Sequence, residues 1–408
     1  MASRRLPLDG LLVADFSRVL AGPYASMALA DLGARVIKVE RTGSGDDTRA
    51  WAPPVSARGS TYFDSVNRNK ESLELDLSDA GDRALAYELA CRADVLIENF
   101  RPGTMARYGL GYDDLAAVNP RLVYASISGF GSGGGASLPG YDFLVQAVGG
   151  LMSITGHAAG EPTKVGVALV DVLTGKDVQV GVLSSLVERG RTGAGAHFEV
   201  NLLSSLQAAL VNQVQSYLGA GVVPARMGNA HPSIVPYQLL ACADGPIAVA
   251  CGNDAQFVAL CRVLSLERLS ADERYRTNSE RVGNRDELVG KLESRLRSDT
   301  AGSWATLLTA AGVPAGAVVG IDDAVRFADS LGLEPTLELT SPDGSSAGRQ
   351  IRSPLRFVPP RPPRTDAPPR LGADNAALRQ WLSARPSRPA PTDSAEAALT
   401  KPEEEEAR

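Results

Sequence analysis

The chain has 408 residues, 44% of them apolar and 22% charged, which is enough to bury a sizeable core in two domains, or in one large domain carrying an insertion. Forty-one basic residues against 47 acidic ones give a net charge of −6, which argues against binding to nucleic acid by phosphate neutralisation. The 41 glycines and 26 prolines follow no fixed period, so collagen-like and solenoid readings drop out. No apolar run reaches the ~20 residues that cross a bilayer, the N-terminal MASRRLPLDG lacks a secretory apolar stretch, and a cytoplasmic protein is expected. The cysteines Cys91, Cys242, Cys251 and Cys261 form no CxxC pair and read as reduced core thiols.

In chain order, Leu11 to Phe16 reads as a strand, Gly22-Pro23 opens a helical segment that Gly33 closes, and Ala34 to Glu40 is a second strand. The alternation continues with a strand from Leu73 to Leu77, a helix from Ala80 to Cys91, and strands from Asp94 to Phe100 and Leu122 to Ser128. Helices are expected over Tyr141 to Thr155 and Val172 to Arg189. A strand from Ala196 to Leu202 then feeds an apolar helix ending near Gly219. This is the pattern of an α/β fold with a doubly wound, mostly parallel sheet.

After Pro224 the texture changes to charge-rich amphipathic helices, including Arg285 to Arg297 and Ser303 to Ala311, around a strand from Ile247 to Ala250. The expected organisation is a large domain starting at 1–224, a smaller inserted α+β domain at 225–330 and a return segment at 331–384. That segment holds an extended stretch from Ile351 to Val358, a proline-dense stretch from Pro359 to Pro369 and a last helix from Asp374 to Ser383. A disordered tail is expected at 385–408, where the sequence turns to Pro, Ala, Ser and Glu.

The run Gly129-Phe130-Gly131-Ser132-Gly133-Gly134 fits GxGxxG after a strand, but Ala136-Ser137-Leu138-Pro139 follows where a dinucleotide site needs a helix. A flexible flap is expected there rather than a nicotinamide site. His157, His197 and His231 are too scattered for a metal-ligand pattern, and no GxSxG nucleophile elbow is present. Asp171 stands in an apolar setting, VGVALVDVLTG. On local grounds it is either the N-cap of the following helix or a desolvated carboxylate held as a nucleophile, and spacing leaves both open.

Several ordered motifs bear on that choice: DFSRVLAGPYAS from Asp15, GARVIKVER from Gly33, GDDTRAW from Gly45, SVNRNK from Ser65, ENFRPG from Glu98, PGYD from Pro139, VGVALVDVLTG, and RMGNAHPSIVPYQ from Arg226. Through them the stretch from about Leu6 to Gly372 resembles the class III CoA-transferases, the formyl-CoA transferase type, and within them the succinyl-CoA:glutarate type that uses dicarboxylates. The resemblance implies that Asp171 attacks a donor thioester, and that an acyl-aspartyl anhydride and then an aspartyl-CoA thioester carry CoA to an acceptor acid. It implies CoA contacts at Val19, Leu20, Ala21, Arg41, Leu75, Asn99, Phe100 and Arg107, with Tyr141 and Asp142 beside them. Arg18, Arg49, Arg68 and His231 become candidates for the distal carboxylate of a dicarboxylic acid, with loop ordering as the other reading of His231.

The same resemblance implies an interlocked homodimer, no tightly bound cofactor, and an acyl-CoA with a small carboxylic acid as partners. Leu20 stands where formyl-CoA transferase has a glutamine, Ser78 where it has a lysine, and RMGNAHPSIVPYQ where it has a glycine run, which argues against oxalate or formate. In the related acyl-CoA racemases a histidine precedes the aspartate at 142. Here Tyr141 stands there, leaving two-base proton exchange short of one base.

Overall fold

The computed structural model describes residues 5–384, so the expected disordered tail lies outside the described residues. The chain forms two compact units, one of residues 5–149, 166–214 and 335–384 and one of residues 150–165 and 215–334.

The first unit is built on six strands: β1 (Leu12–Asp15), β2 (Arg35–Glu40), β3 (Lys70–Glu74), β4 (Val95–Glu98), β5 (Val123–Ser128) and β6 (Ala196–Asn201). They lie in the order β3-β2-β1-β4-β5-β6, and every pairing is parallel. The chain winds outward from β1 through β2 to β3, then returns to the other side of β1 as β4. The reversal leaves a crevice beyond the carboxyl ends of β1 and β4, where folds of this order bind ligands.

Helices α1 (Ala21–Asp31), α2 (Ala80–Arg92), α3 (Asp142–Val148) and α4 (Leu169–Thr192) join the strands, and α5 (Leu202–Ala209) follows β6. On one face α2 and the C-terminal helix Asn375–Ser383 bring Ala86, Leu89, Leu378 and Leu382 against Ala14, Ile37, Leu73 and Leu96. Helix α4 packs directly on α1 because Gly175 has no side chain: a Cβ there would sit 2.7 Å from the Ala21 carbonyl oxygen.

Four elements differ from expectation, and the first is the apolar helix expected to end near Gly219: it is interrupted after Ala209 and resumes as a separate helix, Val211–Ala220, with Val211 at φ +30°. Strand β3 is displaced three residues toward the N-terminus, Lys70–Glu74 rather than Leu73 to Leu77, since Lys70 is drawn into the sheet by a buried ion pair with Asp15 that no apolar pattern signals. The helix expected over Tyr141 to Thr155 breaks at Gly149-Gly150, where Gly150 takes φ +93°. Of the extended stretch expected from Ile351 to Val358, only Ile351 belongs to a strand, Ser346–Ile351; Pro354 and Pro359 have no N–H to donate to a ladder.

The second unit holds a three-stranded antiparallel sheet, Ala315–Ala317 beside Pro246–Ala250 beside Tyr237–Ala241. Its core gathers Phe257, Leu260, Leu288, Leu292 and Trp304. Cys242, Cys251 and Cys261 are buried there as free thiols, while Cys91 is half-buried in the first unit. Among the described residues no helix is long and apolar enough to cross a membrane.

Candidate active site

Beyond the ends of β1 and β4 lies a cavity of about 180 Å³. Arg18, Val19, Leu20 and Ala21 line it from the β1–α1 turn, Asn99 and Phe100 follow β4, and Tyr141 and Asp171 face in from later segments. Eight residues picked out from the sequence therefore meet at one place, drawn from four separate stretches of chain. The glycine run lines it as well. Gly129 crosses Gly140 so closely that a Cβ on either would lie 2.4 Å from the other's Cα, which ties the loop after β5 to the turn before Tyr141. Gly129 serves this crossing, and the run opens no helix.

Asp171 is not a helix cap. The N-cap of α4 is Ala168, and Asp171 is the third residue of the helix. The capping carboxylate is Asp142, at the start of α3, whose Oδ1 accepts from the N–H groups of Val170 (2.8 Å) and Asp171 (3.4 Å). Gln146 Nε2 in turn donates to Asp142 Oδ2 at 2.6 Å. Freed from capping, the Asp171 carboxyl faces the cavity and forms no ion pair among the described residues. Burial, with the Asp142 charge adding to it, pushes its pKa up to about 7.

Tyr62 belongs to the same electrostatic neighbourhood. Burial, then the charges of Asp171, Asp142 and Asp46, push its phenol up to about 12, so it remains a neutral hydrogen-bond donor. Tyr62 lies outside the motifs that carry the family resemblance. Its only signal in the sequence was an aromatic with a hydroxyl between a capping serine and a buried Phe63.

The other candidates are placed differently. Leu75 is a core residue, 3% exposed, and does not line the cavity. Arg41 is exposed near Asp47 at 3.8 Å, and Asp47 also holds Arg18 at 3.1 Å. Arg107 is exposed, with Thr104 Oγ1 3.3 Å from its Nη2. Asn99 is engaged twice with Arg18, accepting from its N–H at 2.9 Å and donating to its carbonyl at 2.7 Å.

Of the four cations considered for a distal carboxylate, only Arg18 lines the cavity. Arg49 grips Glu40 through two bonds of 2.7 Å, and Arg68 grips Asp31 at 2.9 and 2.6 Å. His231, in the second unit, accepts from Ser233 N–H at 3.0 Å through Nδ1, which orders its own loop.

A buried carboxyl in a crevice at the strand ends, with arginine and backbone beside it, is an arrangement that can serve acyl transfer from a thioester. The comparison with known proteins is decisive. A family model described as CoA-transferase family III matches residues 8–375. The chain belongs to CoA-transferase family III. It is 45% identical over 323 residues to the acetyl-CoA:oxalate CoA-transferase of Acetobacter aceti, covering 79% of this chain and 83% of that one. The human succinyl-CoA:glutarate CoA-transferase is 44% identical over 313 residues, or 76% of this chain and 72% of its own. Among solved structures, a CaiB/BaiF family protein from Brucella suis matches with a TM-score of 0.82 at 41% identity, covering 93% of this chain and all of that one. As a family III CoA-transferase, the chain is an enzyme whose relatives are named for CoA exchange, and its six-stranded parallel sheet is the expected α/β fold.

The pH dependence follows from Asp171. If the Asp171 carboxylate is the group that attacks, it must be ionised, and kcat/KM is then expected to rise with pH through about 7 and to level above it. Asp142→Asn keeps an oxygen for the α4 cap but removes the neighbouring charge. It should move that limb to lower pH, and a pH–rate profile that did not shift would show that Asp142 exerts no electrostatic effect.

Proposed function

We propose that this enzyme moves CoA between two small acids through Asp171, with dicarboxylates as the preferred pair. The Asp171 carboxylate attacks the donor thioester carbonyl, forming an acyl-aspartyl anhydride and releasing CoA thiolate. The thiolate attacks the aspartyl carbonyl, expelling the donor acid and leaving an aspartyl-CoA thioester. The acceptor carboxylate attacks that thioester to give a second anhydride and thiolate. The thiolate then takes the acceptor acyl group and frees Asp171. Each step exchanges one acyl bond for another, so nothing beyond the two acids and CoA is consumed.

The observation carrying this reading is the Asp171 carboxyl, without an ion pair among the described residues and raised to about 7, in the cavity at the sheet reversal. Arg18 is the proposed partner of a distal carboxylate, with Arg41 and Arg107 near the phosphates of CoA. Glutarate is favoured by the names of the human relative and of the succinate–glutarate CoA-transferase of Agrobacterium fabrum, which is 41% identical over 377 residues, 89% of this chain and 94% of its own. We place the enzyme in the cytoplasm with no tightly bound cofactor, in keeping with its free thiols.

The enzyme is further proposed to work as an interlocked homodimer. Support comes from a cavity of about 1140 Å³ in the first unit, lined by α1, α4 and the strand Ser346–Ile351, which a segment of a second copy would fill.

Incubation with succinyl-CoA and glutarate should yield glutaryl-CoA with no added nucleotide. Absence of exchange across a panel of acyl-CoA donors and acids would sink the transfer reading. Wash-in of solvent deuterium at the α-carbon would favour a racemase, and retention of NAD through purification a nicotinamide enzyme.

A further inference from the structure

The turn from β1 into α1 contains a residue in an unfavourable conformation. Val19 has φ +70°, a left-handed backbone that a β-branched side chain rarely adopts. Strain of this kind persists only where the surroundings over-determine it, and here every backbone polar group from Ser17 to the Val19 amide is held by a side chain. Asp15 Oδ1 accepts from Ser17 N–H at 3.0 Å, and Lys38 Nζ donates to the Ser17 carbonyl at 2.8 Å. Asn99 holds both polar groups of Arg18. Both oxygens of Asp46 accept from Val19 N–H, at 3.3 and 3.2 Å.

Lys38 and Asp46 are themselves an ion pair of 2.8 Å with side chains 1% exposed. One pair therefore holds both ends of the reversal, and its length sets the separation of the Ser17 carbonyl from the Val19 amide. Neither residue lines the cavity that contains Asp171. A buried ion pair contributes little net stability over an apolar pair of the same volume, because desolvating both charges offsets their attraction. Here it supplies direction instead: its donors and acceptor point at two specific backbone atoms.

We propose that Lys38 and Asp46 are positioning residues for CoA transfer, holding Val19 in its left-handed conformation so that the backbone from Arg18 to Ala21 faces the thioester beside Asp171. The inference rests on the reading of that cavity as the transfer site. Without the pair, Val19 relaxes to an ordinary conformation, the chain leaves β1 in another direction, and the four lining residues shift relative to the nucleophile. Misplacement of about 1 Å at a reacting centre costs about a hundredfold in rate.

The test is a double-mutant cycle. Asp46→Ala is expected to lower kcat by about tenfold to a hundredfold. Glycine takes left-handed φ at no steric cost, so in a Val19→Gly background the same substitution should cost at least about tenfold less, a coupling of about 1.4 kcal/mol. A purely structural loss would be equal in the two backgrounds, and equal losses overturn the proposal. Should Asp46→Ala fail to fold, Asp46→Asn, which keeps one acceptor but not the charge opposite Lys38, is expected to show the same coupling at smaller amplitude.

Hydrogen–deuterium exchange over residues 16–21 gives an independent reading. Asp46→Asn should accelerate exchange there at least about tenfold beyond any global change, and unchanged protection would refute the clamp. If the unsubstituted enzyme exchanged no acid pair, the transfer reading would fall, while the exchange measurement would still decide on the clamp.

Discussion

Asp171→Ala is expected to abolish CoA exchange, by about 10⁴-fold or more as for other enzymes stripped of a nucleophile, while the protein stays folded and binds CoA. With an acyl-CoA donor, the native enzyme should gain the mass of CoA on the peptide containing Asp171, and the alanine variant should gain none. Near-normal turnover in the variant would end the covalent reading.

The same carboxyl has a cost in the folded state. Its pKa is about 7 folded against 3.8 as the reference, so the folded chain holds more protons than the unfolded one between those values. Stability contributed at this site therefore falls as pH rises from about 4 to about 7. Partial solvent exposure and the N-terminal dipole of α4 reduce the effect. Asp171→Asn should be stabilising by about 1–2 kcal/mol at pH 8 and by much less at pH 4, measured by urea unfolding at both values. A gain over the native protein no larger at pH 8 than at pH 4 would show that the carboxyl is not destabilised by burial.

Lys70→Met should be the most destabilising of the substitutions considered, by about 3–5 kcal/mol. The Lys70 ammonium is fully buried 3.1 Å from Asp15 and also donates to the Pro23 carbonyl and to Asn67. Burial pushes the lysine down to about 8 against the pull of Asp15. Burial alone would raise the Asp15 carboxyl, but Lys70 and Lys38 outweigh it and hold it below the usual range. Methionine fills the space and leaves Asp15 short of one counter-charge. Adding Asp15→Asn, which removes the charge and retains an acceptor for Ser17, should recover part of the loss. If denaturant midpoints showed Lys70→Met within 1 kcal/mol of the native protein, as expected of a surface site, the pair would not be functioning as a buried one.

The parallel sheet was readable because its strands are apolar on both faces, as in the run from Val95 to Ile97, and alternate with helical stretches. Strand β3 was misplaced for the opposite reason: Lys70 and Ser72 are buried polar residues whose partners, Asp15 and Glu40, lie on other strands. Asp171 shows the same limit at the site. Any aspartate before an apolar helix reads as its cap, and what releases it is Asp142, 29 residues earlier in the chain. Arg49 and Arg68 read as free cations because Glu40 and Asp31, which occupy them, are distant in sequence. Motif order placed most of the cavity lining; pairing among charged residues had to come from three dimensions.

Strand β3 is an outer strand of the sheet, and its outward N–H groups would otherwise be open to pairing with another chain. Ser72 N–H donates to Asp374 Oδ2 and Glu74 N–H to Asn375 Oδ1, both at 2.8 Å and across about three hundred residues of sequence. During synthesis at 5–20 residues per second, that edge waits roughly 15–60 s for its cover to emerge from the ribosome. The nascent chain thus depends on its last helix to shield its first-made sheet, and products terminated before Asp374 would leave a bare strand edge for quality-control machinery to capture.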